Sequence, residues 1–213
     1  MYDVQSKDGK EWFYTDAVKE HFFNPKNLIK TKEEAEKYAK EASGIGEEGS
    51  PACGDMMKMW IKVKDNIITE CKWQTFGCAS AIASTSIFSE MVKGMKIEKA
   101  LAIKPQDISK ELGGLPARKF HCSVLADKAL RAAVNDYYKK TNQLDKIKED
   151  KIKIIDKILK ITDHDIEEAV LEGVRTFEQL QKRTKIGVQD KTCIPEAEQL
   201  LRFYLEKYFA EKQ

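Results

Sequence analysis

The chain lacks the long apolar run that a membrane span requires: no stretch approaches ~18 consecutive apolar residues. Its first segment, MYDVQSKDGKEWFYTDAVKEHFF, is charged early and has no apolar centre, so no secretory leader is expected and the cytoplasm is the expected compartment. The chain also lacks an excess of either charge. Thirty-seven basic side chains nearly cancel 35 acidic ones, and a net charge of +2 over 213 residues gives no electrostatic reason to expect nucleic acid or an anionic membrane surface. Cysteine is scarce: there are five, an odd number, and none of the pairs is a CxxC. In a reducing compartment such a set does not build a disulfide framework, so clustered thiols point to metal binding or catalysis. No internal repeat or low-complexity tract is present. What is present is a 42% hydrophobic content, enough for a proper core without disulfides.

The spacing of apolar residues and breakers sets out the elements. YTDAVKEHFFNPKN reads as a short helix started near Thr15 and stopped by Asn24-Pro25. Thr31 with Glu34 forms a capping box that opens a charged helix to about Ala42, an apparent insertion without an evident role. GIGEEGSPACG reads as loop, because glycine and proline interrupt any period. Met57, Met59, Ile61 and Val63 then alternate with Lys58, Trp60, Lys62 and Lys64, a strand with one wet face. Asp65-Asn66 turns the chain into a second strand, with Cys71 and Trp73 on one face, that Gly77 ends. An Ala/Ser-rich helix follows from about Ala79 to Lys93. Two short helical pieces flank Pro105, and a long helix that Ser123 can cap runs to about Lys140.

This order indicates an α+β domain with a small antiparallel sheet packed with helices, rather than a doubly wound unit. The charged run near KKTNQLDKIKEDK marks a linker. The expected division is 1–143, a linker or linker helix at 144–155, and a small all-helical domain at 156–213. There Ile154, Ile155, Ile158 and Leu159 form one apolar stripe, Thr162 and Thr176 start helices, and Pro195 sits in the first turn of the last one.

The cysteines differ in kind. Cys71, beside Trp73 in a strand, is explained as a small buried hydrophobe. Cys53, Cys78 and Cys122 fall at loops or element ends, where side chains can converge. A hairpin brings Cys53 and Cys78 to the same end of the sheet, and Cys122 sits at a helix start that favours thiolate. Asp55 and His121 add a carboxylate and an imidazole to the same neighbourhood. Soft sulfur donors with one harder ligand suit zinc or iron–sulfur chemistry. A His121–Cys122 nucleophilic dyad is discounted, because adjacent residues seldom aim their side chains together.

GSPACGD, WQTFGCASAIASTS and LPARKFHCSVLA, with VKEHFFNPKN upstream, resemble the signature segments of the NifU-like/IscU iron–sulfur cluster scaffold family over roughly residues 12 to 140. The resemblance implies the SufE/NifU-like scaffold fold and a non-enzymatic function. Such a scaffold accepts sulfur from a cysteine desulfurase, builds a transient [2Fe-2S] or [4Fe-4S] cluster from sulfur and iron, and transfers it to apo iron–sulfur proteins. It implies cluster ligands at Cys53, Asp55, Cys78, His121 and Cys122, with Asp55 keeping the cluster labile, Cys122 as sulfur acceptor and Lys119 in an electrostatic supporting role. Ferredoxin and chaperone partners and a homodimer belong to the same picture. Leu115-Pro116-Ala117-Arg118-Lys119 lacks the second proline of the family's chaperone-binding segment, which weakens that partner.

Two other readings stay open. One is a zinc-dependent SufU-like sulfur-transfer protein, with zinc in the isolated chain; the other is a non-catalytic zinc-stabilised interaction module. The C-terminal segment resembles the bacterioferritin-associated-ferredoxin-like [2Fe-2S] domain. Aligned by its helices, it has Asp156 and Ile158 at that domain's first cysteine pair and Asp190 and Cys193 at the second. With one thiol of four, no permanent cluster is expected there, and docking or dimerisation is the expected role.

Overall fold

Alternation in DMMKMWIKVK becomes a strand because one set of side chains can be buried while the other leaves the sheet. The computed structural model describes residues 14–50, 54–116, 119–148 and 152–210, with the backbone of two short paired strands, β1 (Val4–Gln5) and β2 (Glu11–Trp12). Its chain divides into two compact units, Met1–Lys148 and Glu149–Gln213. No helix of the described residues is long and apolar enough to cross a membrane.

In the first unit α1 (Asp16–Phe23) and α2 (Lys32–Glu41) precede a three-stranded antiparallel sheet of β3 (Gly44–Ser50), β4 (Asp55–Lys64) and β5 (Ile67–Phe76), in that order. Asp65 and Asn66 both have positive φ, 52° and 62°, the backbone that a tight two-residue hairpin needs. The register places Met59 opposite Trp73 and Ile61 opposite Cys71. Met57, Met59, Ile61, Cys71 and Trp73 form one buried face against α3 (Ala79–Val92) and, after the short α4 (Ile97–Ala100) and α5 (Pro105–Glu111), against the long α6 (His121–Lys140).

Three expectations change here. GIGEEGS is a strand, not a loop. Its glycines are required by packing: a Cβ at Gly46 would lie 2.2 Å from the Ala129 carbonyl oxygen, and one at Gly44 2.1 Å from that of Ala133, so α6 rests directly on the β3 backbone. The wet face of β4 is partly dry. Trp60 is 1% exposed and packs with Ile29 and Tyr38 beneath α2, so the apparent insertion is the cover of that face. The α2 stretch reads as charged because only Ala35, Tyr38 and Ala39 turn towards the sheet. Finally, α6 begins at His121, and Ser123 lies inside it, buried, with its hydroxyl donating to the Phe120 carbonyl at 2.7 Å.

Helix α1, capped by Thr15, lies on α3. There Val18 meets Ala83 and Leu112, and the buried His21 Nδ1 pairs with Ser86 Oγ at 2.8 Å. After α6 the chain stays with the first unit. Leu144–Lys146 forms a 3-10 turn, Ile147 packs on the core, and Asn135 exchanges hydrogen bonds with the Lys148 backbone. The start of the expected linker is therefore packed, because one apolar side chain and one amide suffice to hold it down.

The second unit opens with a hairpin, β6 (Ile154–Asp156) and β7 (Ile161–Thr162), followed by α7 (Asp163–Leu171), α8 (Phe177–Thr184) and α9 (Ile194–Phe209). The apolar stripe at 154–159 is therefore not a helix. Asp156 Oδ1 accepts the backbone N–H groups of Ile158 and Leu159, a local bond that competes with helix formation, and Lys160 turns at φ 54°. Ile155 is buried, while Ile154 and Ile158 are exposed. Ile161, Ile166, Val170, Leu180, Ile186, Ala197 and Leu201 are the unit's main buried aliphatic residues.

Candidate metal centre

Three separate elements end at one place. Asp55 is the first residue of β4, Cys78 precedes the first turn of α3, and Cys122 is the second residue of α6. Each offers a ligand atom, and these atoms lie within 4.8 Å of one another. The two sulfurs are 3.5 Å apart. Asp55 is 6% exposed, and its Oδ2 is buried without a hydrogen-bond partner among the described residues. A buried carboxylate oxygen left so is costly unless a cation completes it. Gly77 makes the room: a Cβ there would sit 3.1 Å from Asp55 Cγ.

The thiols are unlike. At Cys78 the neighbouring Cys122 thiol, donating to it, is the main cause that lowers the pKa to about 6; burial opposes the shift, while the Ala81 backbone N–H and Lys119 assist it. At Cys122 the same contact, together with burial, pushes the pKa up. Sequence reasoning expected the exposed thiolate at Cys122. The structure buries Cys122 and gives the thiolate to the half-buried Cys78, which stands directly at the N-terminus of α3. Burial works against the Lys119 ammonium, yet the neighbouring Cys78 thiolate raises its pKa above the ordinary value.

Of the five expected ligands, the structure gathers Asp55, Cys78 and Cys122. Cys53 lies outside the described residues. His121 is half-buried, but its ring nitrogens are not part of this set of mutually close donors. Consecutive helical residues point about 100° apart, so His121 and Cys122 diverge. Cys71 is the buried hydrophobe expected of it, with burial pushing its thiol up to about 12. Sequence reasoning took Gly77 only as a strand end; its place directly before Cys78 was the available signal. The rim is apolar: Met56 and Phe76 are cross-strand partners, and Phe76 is 82% exposed.

Residues 13–144 match the family model described as NifU-like N terminal domain. The chain belongs to the NifU-like N-terminal domain family. Its NifU-like unit is similar to the iron-sulfur cluster assembly scaffold protein IscU 1 of Archaeoglobus fulgidus. The identity is 50% over 136 residues, 64% of this chain and 84% of that one. The nitrogen fixation protein NifU of a Nostoc species is 47% identical over 128 residues, 59% of this chain and 42% of that one. The likeness to the nitrogen fixation protein NifU of Azotobacter chroococcum extends beyond the NifU-like unit: 37% over 193 residues, 89% of this chain and 59% of that one. Residues 159–202 match a second model, described as BFD-like [2Fe-2S] binding domain.

Proposed function

We propose that the chain is an iron–sulfur cluster assembly scaffold, not an enzyme, and that its cargo is built between β4, α3 and α6. One observation carries the reading: two thiols and a buried carboxylate, from three elements, offer ligand atoms within 4.8 Å of one another, and one oxygen of that carboxylate has no hydrogen-bond partner among the described residues. Such a set suits a metal centre that accepts soft sulfur and one hard oxygen. Cys53 and His121 are the further donors that the family resemblance implies.

Sulfur enters at the thiol pair. A scaffold thiolate attacks the outer sulfur of a desulfurase persulfide, the persulfide S–S bond breaks, and the desulfurase thiolate leaves. The family resemblance assigns acceptance to Cys122. With Cys78 Sγ 3.5 Å away, sulfur bound at either thiol is within reach of the other. Lys119 counters the accumulating negative charge, and Asp55 provides the weakest bond at release. The completed cluster passes to an apo iron–sulfur protein. Zinc would fit the same donors, which keeps the zinc-dependent sulfur-transfer reading testable in the same experiment.

The experiment is anaerobic incubation with ferrous iron, cysteine and a cysteine desulfurase. Charge-transfer absorption should grow in, disappear in Cys53→Ser, Cys78→Ser and Cys122→Ser, and persist in Cys71→Ser and Cys193→Ser. Stoichiometric zinc that excludes iron, with no absorption in the intact protein, would establish the zinc reading instead.

A further inference from the structure

Relatives of the second unit are described as binding a [2Fe-2S] cluster, which needs four strong donors. The four corresponding positions do not supply them. Ile158 is an exposed aliphatic side chain. The Asp190 carboxylate caps the turn before α9, accepting from the Thr192 backbone at 2.9 Å. Cys193 is buried, its sulfur 3.1 Å from the Asp190 carbonyl oxygen.

Asp156 is the informative position. It is fully buried, and both oxygens are occupied by backbone. Oδ1 accepts from Ile158 N at 3.0 Å and Leu159 N at 2.9 Å, and Oδ2 accepts from Gly187 N at 3.1 Å and faces Cys193 Sγ at 3.8 Å. One carboxylate thus gathers the β6–β7 turn, the loop after α8 and the start of α9. Gly187 is held tightly there: its φ is 71°, and a Cβ on it would meet Ile194 Cγ1 at 2.7 Å. Backbone N–H groups converging on one point form a nest for an anion.

We propose that the Asp156 carboxylate is a resident anion standing where the relatives' cluster would be, so that the second unit closes its loops around a side chain and folds without iron. This inference does not depend on the assembly-site reading. Its consequence is that all iron–sulfur chemistry of the chain takes place in the first unit.

The test uses the full chain carrying Cys53→Ser, Cys78→Ser and Cys122→Ser, which silences the first unit. Anaerobic treatment with ferrous iron and sulfide should leave no bound iron after desalting. Stoichiometric iron retained through Cys193 would overturn the proposal. In the same background, Asp156→Asn should speed hydrogen exchange at the Ile158, Leu159 and Gly187 amides by about tenfold or more, because each loses a charged acceptor. Unchanged exchange at all three would also overturn it. Combining Asp156→Cys, Ile158→Cys and Asp190→Cys with the native Cys193 gives a readout even if the asparagine variant unfolds. This four-thiol chain should take up [2Fe-2S] absorption that its parent lacks, and failure to do so would show that Asp156 does not occupy the cluster's position.

Discussion

At Asp55 a carboxylate oxygen is buried without a hydrogen-bond partner among the described residues, beside two sulfurs of opposite protonation tendency. Oxygen is a poorer match than thiolate for cluster iron, so in the proposed function Asp55 would be the ligand that lets cargo go. Asp55→Ala should therefore slow cluster transfer to an apo-acceptor severalfold, measured by loss of scaffold absorption; faster loss than in the wild type would contradict a labilising role. The thiol pair makes a separate prediction for the metal-free protein. Because the contact lowers the Cys78 pKa to about 6 and raises that of Cys122, the Cys78 alkylation rate should rise through pH 6 and level off above it, while Cys122 stays nearly inert at neutral pH. In Cys122→Ala the thiol donor is removed, so the Cys78 midpoint should move upwards. Peptide mass spectrometry after timed alkylation reads both residues.

Among the elements, β3 and α6 depend closely on each other. Gly46 allows the helix to lie on the strand, and a Cβ there would press on the Ala129 carbonyl at 2.2 Å and the Ala133 nitrogen at 2.3 Å, both backbone atoms that cannot step aside. Gly46→Ala should cost about 2 kcal/mol or more, seen as a lower denaturant midpoint with little change in slope. Since α6 carries Cys122 at its start, the variant should also weaken the assembly site; an unchanged midpoint would mean that the sheet edge yields. Helix α2 protects the opposite face. Tyr38 covers Trp60 and donates to Glu70 at 2.9 Å, an arrangement that makes a charged helix part of the core.

The whole molecule combines one unit built around a metal-binding corner with a second built around a buried carboxylate. That carboxylate should give the second unit a definite acid response. The Leu159 N–H is the largest cause holding the Asp156 pKa below its ordinary value; burial opposes it, and the Gly187 and Ile158 N–H groups and the nearby Cys193 thiol assist it. A depressed folded pKa means that the stabilisation is complete above the usual carboxylate range, near 4, and is lost as pH falls through the folded value. Urea midpoints followed on Tyr204 and Tyr208 should therefore drop between pH 7 and pH 3. Asp156→Asn should be less stable than the wild type at pH 7 and lose part of that acid dependence. An asparagine variant with the wild-type midpoint at pH 7 would contradict the anchoring role.

Sequence alone determined the elements whose signals are local. Caps at Thr15, Thr31, Thr162 and Thr176 and the β4–β5 hairpin with its Asp65-Asn66 turn were legible, because period and turn chemistry are properties of neighbouring residues; that Cys78 and Cys122 share a site was legible only through the family motifs. Tertiary structure decided whatever depends on a distant partner. It made strand from the glycines of GIGEEGS because α6 passes over them, and it dried Trp60 because α2 lies across it. It moved the thiolate from Cys122 to Cys78, since burial and a 3.5 Å sulfur neighbour outweigh a helix start. It also left the His121 ring nitrogens outside the set of mutually close donors, because consecutive side chains leave a helix in different directions. A sequence lists the groups that can bond; which of them are buried together, and so which charges survive, follows only from packing.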